Sequence, residues 1–168
     1  MAKKMKTASK RPGASSARSA DTDIDSAAVR SWLSVVNAYH LCDTLMARRL
    51  AEIGVRTPEH EILANLRRSP GLTQQALASR CFSAKSHISG LLTLLEGRGW
   101  LRREPDPTDA RAKRLYLEPM GERVAAQTAA VQAAVVAVMV NGETAATLGE
   151  VAEAMKRVSA RLQAQLAD

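Results

Sequence analysis

Two helical stretches with a sharp break between them constrain this chain most. Thr73 reads as a helix cap, with Leu77 and Ala78 facing inward behind it; Cys81-Phe82-Ser83 then interrupts the chain. Ser83 reads as a second cap, and from there Ile88, Leu91, Leu92 and Leu95 recur at steps of three and four until Gly97-Arg98-Gly99. Short helix, tight turn and longer helix make a helix-turn-helix, whose second helix can enter a DNA major groove. Directly behind it, Trp100–Arg103 and Arg114–Leu117 read as strands, with the turn chemistry of Pro105–Ala110 between them. A basic hairpin behind a helix-turn-helix is a winged helix.

The remaining chain reads as helices around that unit. From about Ala27 to Ile53, Trp32, Val35, Val36, Tyr39, Cys42, Met46 and Leu50 share one face, and Gly54 ends the helix. Thr57-Pro58-Glu59 opens the next, with Thr57 as cap, Ile62, Leu63 and Leu66 inward, and Ser69-Pro70-Gly71 as the stop. Behind the wing, Met120–Asn141 carries Val124, Val131, Val135 and Val138, and Glu143–Leu166 repeats Leu148, Val151, Met155, Val158 and Leu162. The chain has only five aromatic residues, so Leu, Val and Ala must fill the core. Its longest unbroken apolar stretch, Ala133–Val140, is well short of the roughly 18 residues that mark a bilayer span, so no membrane association is expected.

A small winged domain cannot bury the stripes of the first and last two helices, and each exposed Leu or Val forgoes roughly 1.5–3 kcal/mol. Dimerisation through the flanking helices is therefore expected; packing of the two C-terminal helices on one another is the alternative. The expected fold is mainly α with a small β-hairpin wing. Residues 1–25 form a disordered basic tail and 26–168 a single domain, with 57–118 as winged helix-turn-helix and 27–54 and 119–167 as dimerisation helices.

Charge separates tail from domain. The formal charge is +7, yet Lys3, Lys4, Lys6, Lys10, Arg11 and Arg18 carry most of it, with no acid before Asp21. Such a tail is either a solubilising arm or an arm on DNA phosphates. Inside the domain, Arg98, Arg102, Arg103, Arg111, Lys113 and Arg114 face only Glu104, Asp106 and Asp109 across the wing. No apolar segment follows the basic N-terminus, so no secretory signal is expected. Two cysteines, Cys42 and Cys81, form neither a disulfide framework nor zinc-type spacing, which suits a cytoplasmic protein.

Several segments resemble the multiple antibiotic resistance regulator (MarR) family. They are Leu72–Ala78, Ser83–Ser89, Leu95-Glu96-Gly97-Arg98-Gly99-Trp100-Leu101-Arg102-Arg103 and Asp106-Pro107-Thr108-Asp109-Ala110-Arg111-Ala112-Lys113, in order and at matching spacing. The resemblance implies a homodimeric bacterial or archaeal transcription factor, mostly a repressor, on pseudo-palindromic double-stranded DNA. It also implies release by a small, often phenolic, effector bound between the dimerisation and DNA-binding parts. Two positions depart from the family: Glu118-Pro119 stands where Thr usually opens the helix after the wing, and Gln75-Ala76 removes a capping box.

Polar groups at the starts of the two helices, Thr73 and Gln74, then Lys85, Ser86, His87 and Ser89, suit base edges or phosphates. In the wing, Arg111 is placed in the minor groove, with Asp109 holding its guanidinium; an ordinary turn salt bridge would use the same pair. Arg102, Arg103, Lys113 and Arg114 read as phosphate contacts or strand-edge charges. Trp32, Tyr39, His40 and His60 are candidates for an effector cleft, although such a stripe also suits a dimer core. His40, Cys42, Glu59, His60 and Glu61 are metal-ligand types without a matching His further on, so no metal or other cofactor is expected. No catalytic arrangement stands out, so an enzyme is not expected. The expected function is a ligand-released repressor. The alternatives are a thiol-switched regulator using Cys42 or Cys81, and a nonspecific architectural DNA-binding protein using the tail.

Overall fold

A computed structural model describes residues 27–81, 84–109 and 111–167. The elements are α1 (Ala27–Ala51), α2 (Thr57–Arg68), β1 (Leu72–Thr73), α3 (Gln74–Arg80), α4 (Lys85–Gly97), β2 (Leu101–Pro105), β3 (Lys113–Leu117), α5 (Pro119–Val140) and α6 (Ala145–Ala167). The fold is mainly α with a winged helix-turn-helix, as the patterning indicates. The expected basic tail lies outside the described residues. The chain divides into two units, Met1–Asn37 and Ala38–Asp168. The described part of the first is helical, with Trp32, Leu33 and Val35 exposed.

The sheet is larger than the expected hairpin. Leu72 and Thr73 pair with Leu115 and Arg114, so the antiparallel order is β1-β3-β2 with β3 in the centre. On its other side β3 pairs with β2, from Leu101↔Leu117 to Pro105↔Lys113. A two-residue strand carries no legible alternation, so β1 was hidden within the start of the next helix.

The larger core in the second unit joins α2, α3, α4, the sheet and the start of α5. Ile62, Leu63 and Leu66 meet Leu77, Ile88, Leu92, Leu95, Leu101 and Leu115, all essentially inaccessible to water. Burial of each such leucine contributes roughly 1.5–3 kcal/mol. A smaller cluster packs Met46 and Leu50 of α1 against Val135 of α5. α5 is long and apolar enough, by length and composition, to cross a membrane, a property the unbroken-run criterion missed. It nevertheless packs on α2 and buries Val124, Ala125, Thr128 and Val135.

Helix ends revise two expectations and bear out a third. Arg56, not Thr57, occupies the N-cap of α2, and Thr57 is its first helical residue. The N-cap of α4 is Ala84, without a side-chain cap; Ser83 lies outside the described residues. Thr73 does cap α3, accepting the Ala76 N–H at 3.2 Å, so the missing capping box leaves this contact intact. At the departure noted after the wing, Glu118 is the N-cap of α5 without a side-chain cap bond, and its backbone N–H donates to the Trp100 carbonyl at 3.0 Å.

Gly121 allows that close approach. A Cβ there would collide with the Trp100 carbonyl, whereas one at Gly149 in α6 would meet nothing. Gly121→Ala is therefore expected to destabilise the fold by about 1–3 kcal/mol. Gly149→Ala should be neutral or stabilising by up to about 1 kcal/mol. Thermal denaturation of the two variants checks this contrast.

Candidate nucleic-acid interface

α4 is held by one face and leaves the other free. Ile88, Leu91, Leu92 and Leu95 are buried, while Ser86 and His87 are exposed and Ser89 is half-buried at the opposite side of its first turns. The backbone of Lys85 begins the helix. A short polar surface at the start of a helix fixed from behind can meet base edges and phosphates.

The wing is organised by a carboxylate that the sequence reading treated only as turn chemistry. Asp106 is buried, and its Oδ1 accepts the Thr108 N–H at 2.8 Å, the Thr108 hydroxyl at 2.7 Å and the Asp109 N–H at 3.2 Å. Its Oδ2 lies 2.8 Å from Nε of Arg114. These contacts, led by the Thr108 hydroxyl, lower the Asp106 pKa to about 2. Asp109 then accepts the backbone N–H of Arg111 at 2.9 Å. The expected Asp109–guanidinium pair is thus replaced by a backbone contact, because the tight turn brings the Arg111 amide nearest the carboxylate.

The wing's cations fall into two groups. Arg102 donates to Glu104 at 2.8 Å and Glu118 at 3.3 Å, with its guanidinium 5.0 Å from the Tyr116 ring centroid. Arg103 reaches the Thr93 hydroxyl at 3.1 Å and Glu96 at 3.4 Å, and Arg114 holds Asp106. Arg102 is thus engaged with carboxylates within the fold, as a strand-edge charge would be. Arg111 and Lys113 are exposed and form no ion pair with the described residues. Both line a groove of about 510 Å³ together with Thr73, Gln74, Gln75 and Asp109. Pairing of β1 with β3 brings the start of α3 beside the wing, uniting five of the proposed DNA-contacting residues.

Residues 53–112 match the sequence profile of the MarR family. The matched stretch holds α2, the helix-turn-helix and β2, and over it the chain is similar to the MarR family. The transcriptional regulator HosA of Escherichia coli O111:H- is 33% identical over 69 residues, covering 41% of this chain and 51% of HosA. The chain thus matches about half the length of its curated relatives. The crystal structure of Sco3205, a MarR family regulator from Streptomyces coelicolor in complex with DNA, is 27% identical at a TM-score of 0.74, covering 82% of this chain and 92% of Sco3205. AbsC, another MarR family regulator from Streptomyces coelicolor, is 23% identical at a TM-score of 0.76, covering 83% and 97%.

Of the candidate effector residues in the second unit, Tyr39 and His40 are exposed neighbours, whereas His60 is buried. Trp32 lies in the first unit, 62% exposed. Tyr39 is 67% exposed, with its ring centroid 5.9 Å from that of His40. His60 is only 5% exposed, and its Nδ1 has no hydrogen-bond partner. It lines a cavity of about 260 Å³ between α2, the end of α3 and α5, with Asn65, Arg68, Arg80, Cys81 and Gln132. Burial and the nearby Arg68 push the His60 pKa down, favouring neutral imidazole.

Burial pushes the Cys81 thiol pKa up, as does Glu61, and Cys42 is half-buried. Among the described residues, no three His, Cys, Asp or Glu side chains are grouped as a metal site, and Glu59 is instead engaged by Arg56 and Arg98.

The Asp106 pKa predicts the pH range over which the wing loosens. Because the folded value lies below the ordinary value of 3.8, the stabilising contribution is complete above about pH 4 and disappears as pH falls through about 2. Hydrogen exchange at the Thr108 and Asp109 amides should accelerate over that interval relative to intrinsic rates. Asp106→Asn should already exchange faster at neutral pH.

Proposed function

We propose that this chain is a sequence-specific DNA-binding transcriptional regulator, a homodimeric repressor released from its operator by a small molecule. The observation carrying the DNA reading is the pair of exposed cations, Arg111 and Lys113, without an ion pair among the described residues, beside the Thr73–Gln74 end of α3. α4 supplies Lys85, Ser86, His87 and Ser89 to base edges, while Arg111 reaches the adjacent minor groove. Relatives described as transcriptional regulators, one solved with DNA, support this reading. Dimerisation is supported by α6, which buries none of its described residues and leaves Leu148, Val151, Met155 and Leu162 exposed. Helices in proteins owe most of their stability to packing of an apolar face, and a second copy would give this stripe a partner.

Direct binding tests the DNA reading. By fluorescence anisotropy, the full chain should prefer DNA upstream of its own gene to scrambled duplex by more than about a thousandfold. Arg111→Ala should weaken operator binding by about 1–3 kcal/mol, whereas Lys113→Ala should weaken all sequences alike and reduce the salt slope by about one. Equal binding to both duplexes, with loss on removal of residues 1–20, would instead favour the architectural alternative.

For the effector, the His60 cavity in the second unit is the proposed seat. Arg68 and Arg80 suit a carboxylate or phenolate, and the unpaired His60 nitrogen suits a hydroxyl. The raised Cys81 pKa disfavours the thiol-switch alternative. In a screen of phenolic acids, an active compound should release wild-type protein from DNA, while His60→Ala should retain operator binding but require at least about tenfold more compound. Undiminished release from His60→Ala would exclude this cavity.

A further inference from the structure

A second buried carboxylate lies outside the DNA-facing surface and joins the start of α2 to the end of α4. Glu59, in the first turn of α2, is 1% exposed. Its Oε2 accepts the Arg56 N–H at 2.9 Å, while Oε1 accepts Arg56 Nη2 at 2.7 Å and Arg98 Nη1 at 3.3 Å. Burial alone would raise its pKa, but the contacts with Arg56 and then Arg98 reverse the shift and lower it, keeping the group ionised. Removing a partner from a buried charge costs far more than losing an exposed ion pair.

Arg98 is the residue through which Glu59 reaches the recognition unit. It is the C-cap of α4, donating its backbone N–H to the Leu94 carbonyl at 3.1 Å. Its guanidinium lies 5.0 Å from the Trp100 ring centroid, and Trp100 N–H returns to the Leu95 carbonyl at 3.0 Å. The Trp100 carbonyl in turn accepts the Glu118 N–H at the start of α5, beside Gly121. A connected path thus runs from the start of α2, through the end of α4, to the first turn of α5.

We propose that Glu59 is a positioning residue for DNA reading: through Arg98 it fixes the end of α4, and hence the tilt of its polar start, against α2 and α5. This rests on the DNA-binding function proposed above. Glu59 touches no DNA in this arrangement; its effect is on how accurately Ser86, His87 and Ser89 meet base edges. A small rotation about the far end of a 13-residue helix displaces its start, and base readout is more sensitive to that displacement than phosphate attraction is.

The test uses the full chain and an operator selected by the wild-type protein from random double-stranded DNA. Anisotropy gives the ratio of operator to scrambled-duplex affinity for wild type, E59Q, R98Q and the double variant. E59Q should lower this ratio at least about tenfold while leaving scrambled-duplex affinity within about twofold. R98Q should lower the ratio similarly, and the double variant should be no worse than E59Q, since both changes break one link. Circular dichroism verifies folding; if E59Q does not fold, R98Q at its partly exposed site decides alone.

An unchanged ratio in folded E59Q, or in R98Q where E59Q does not fold, overturns the proposal. A parallel loss of operator and scrambled binding overturns it too, since that marks general destabilisation. If selection yields no preferred DNA for wild type, the DNA-reading function fails first and the positioning role with it.

Discussion

The central position of β3 governs the geometry on which the candidate interface depends. Its backbone pairs on one side with Leu72 and Thr73, immediately before α3, and on the other with the full length of β2. Ladder hydrogen bonds fix register to a single residue, because a slip would turn Leu115 and Leu117 out of the core. The wing cannot therefore move independently of the start of α3, and Arg111 and Lys113 stay beside Thr73 and Gln74. A free two-stranded hairpin would be marginally stable in water and would not hold that groove.

Electrostatics then sort the basic residues into structural and available cations. Arg98, Arg102, Arg103 and Arg114 are each committed to a carboxylate, while Arg111 and Lys113 are left at the tip and edge of the wing. Density of charge in the sequence therefore overstates the charge offered to a partner. Two buried acids divide the remaining labour. Asp106 gathers the turn so that the Arg111 backbone is set, and Glu59 draws the ends of α2 and α4 together. In each case the buried carboxylate remains ionised because its hydrogen bonds outweigh the cost of burial.

Apolar surface divides the fold differently. The winged unit closes its own core with Leu and Ile from three helices and the sheet, so it does not depend on aromatic residues. α5 is shared between that core and the smaller Met46–Leu50–Val135 cluster, whereas α6 retains an apolar stripe with nothing buried among its described residues. Such an asymmetry is uncommon for an isolated chain, since exposed apolar patches usually mark a partner surface.

Periodicity and turn residues alone determined the helix count, the helix-turn-helix, the two wing strands and the inward positions Ile62, Leu77, Ile88, Leu92 and Leu95. These are local properties, written at steps of two or three to four residues, and segment order made the MarR resemblance legible. Tertiary structure decided what depends on residues distant in sequence. The β1 pairing needs β3, about forty residues on, and the Glu59–Arg98 contact spans thirty-nine. The choice of Arg56 over Thr57 as cap, the Asp109 contact with a backbone amide and the burial of His60 also escaped the pattern. Sequence spacing records which face a residue occupies; which partner meets that face depends on how the chain returns, through packing and ion pairing that no local period encodes.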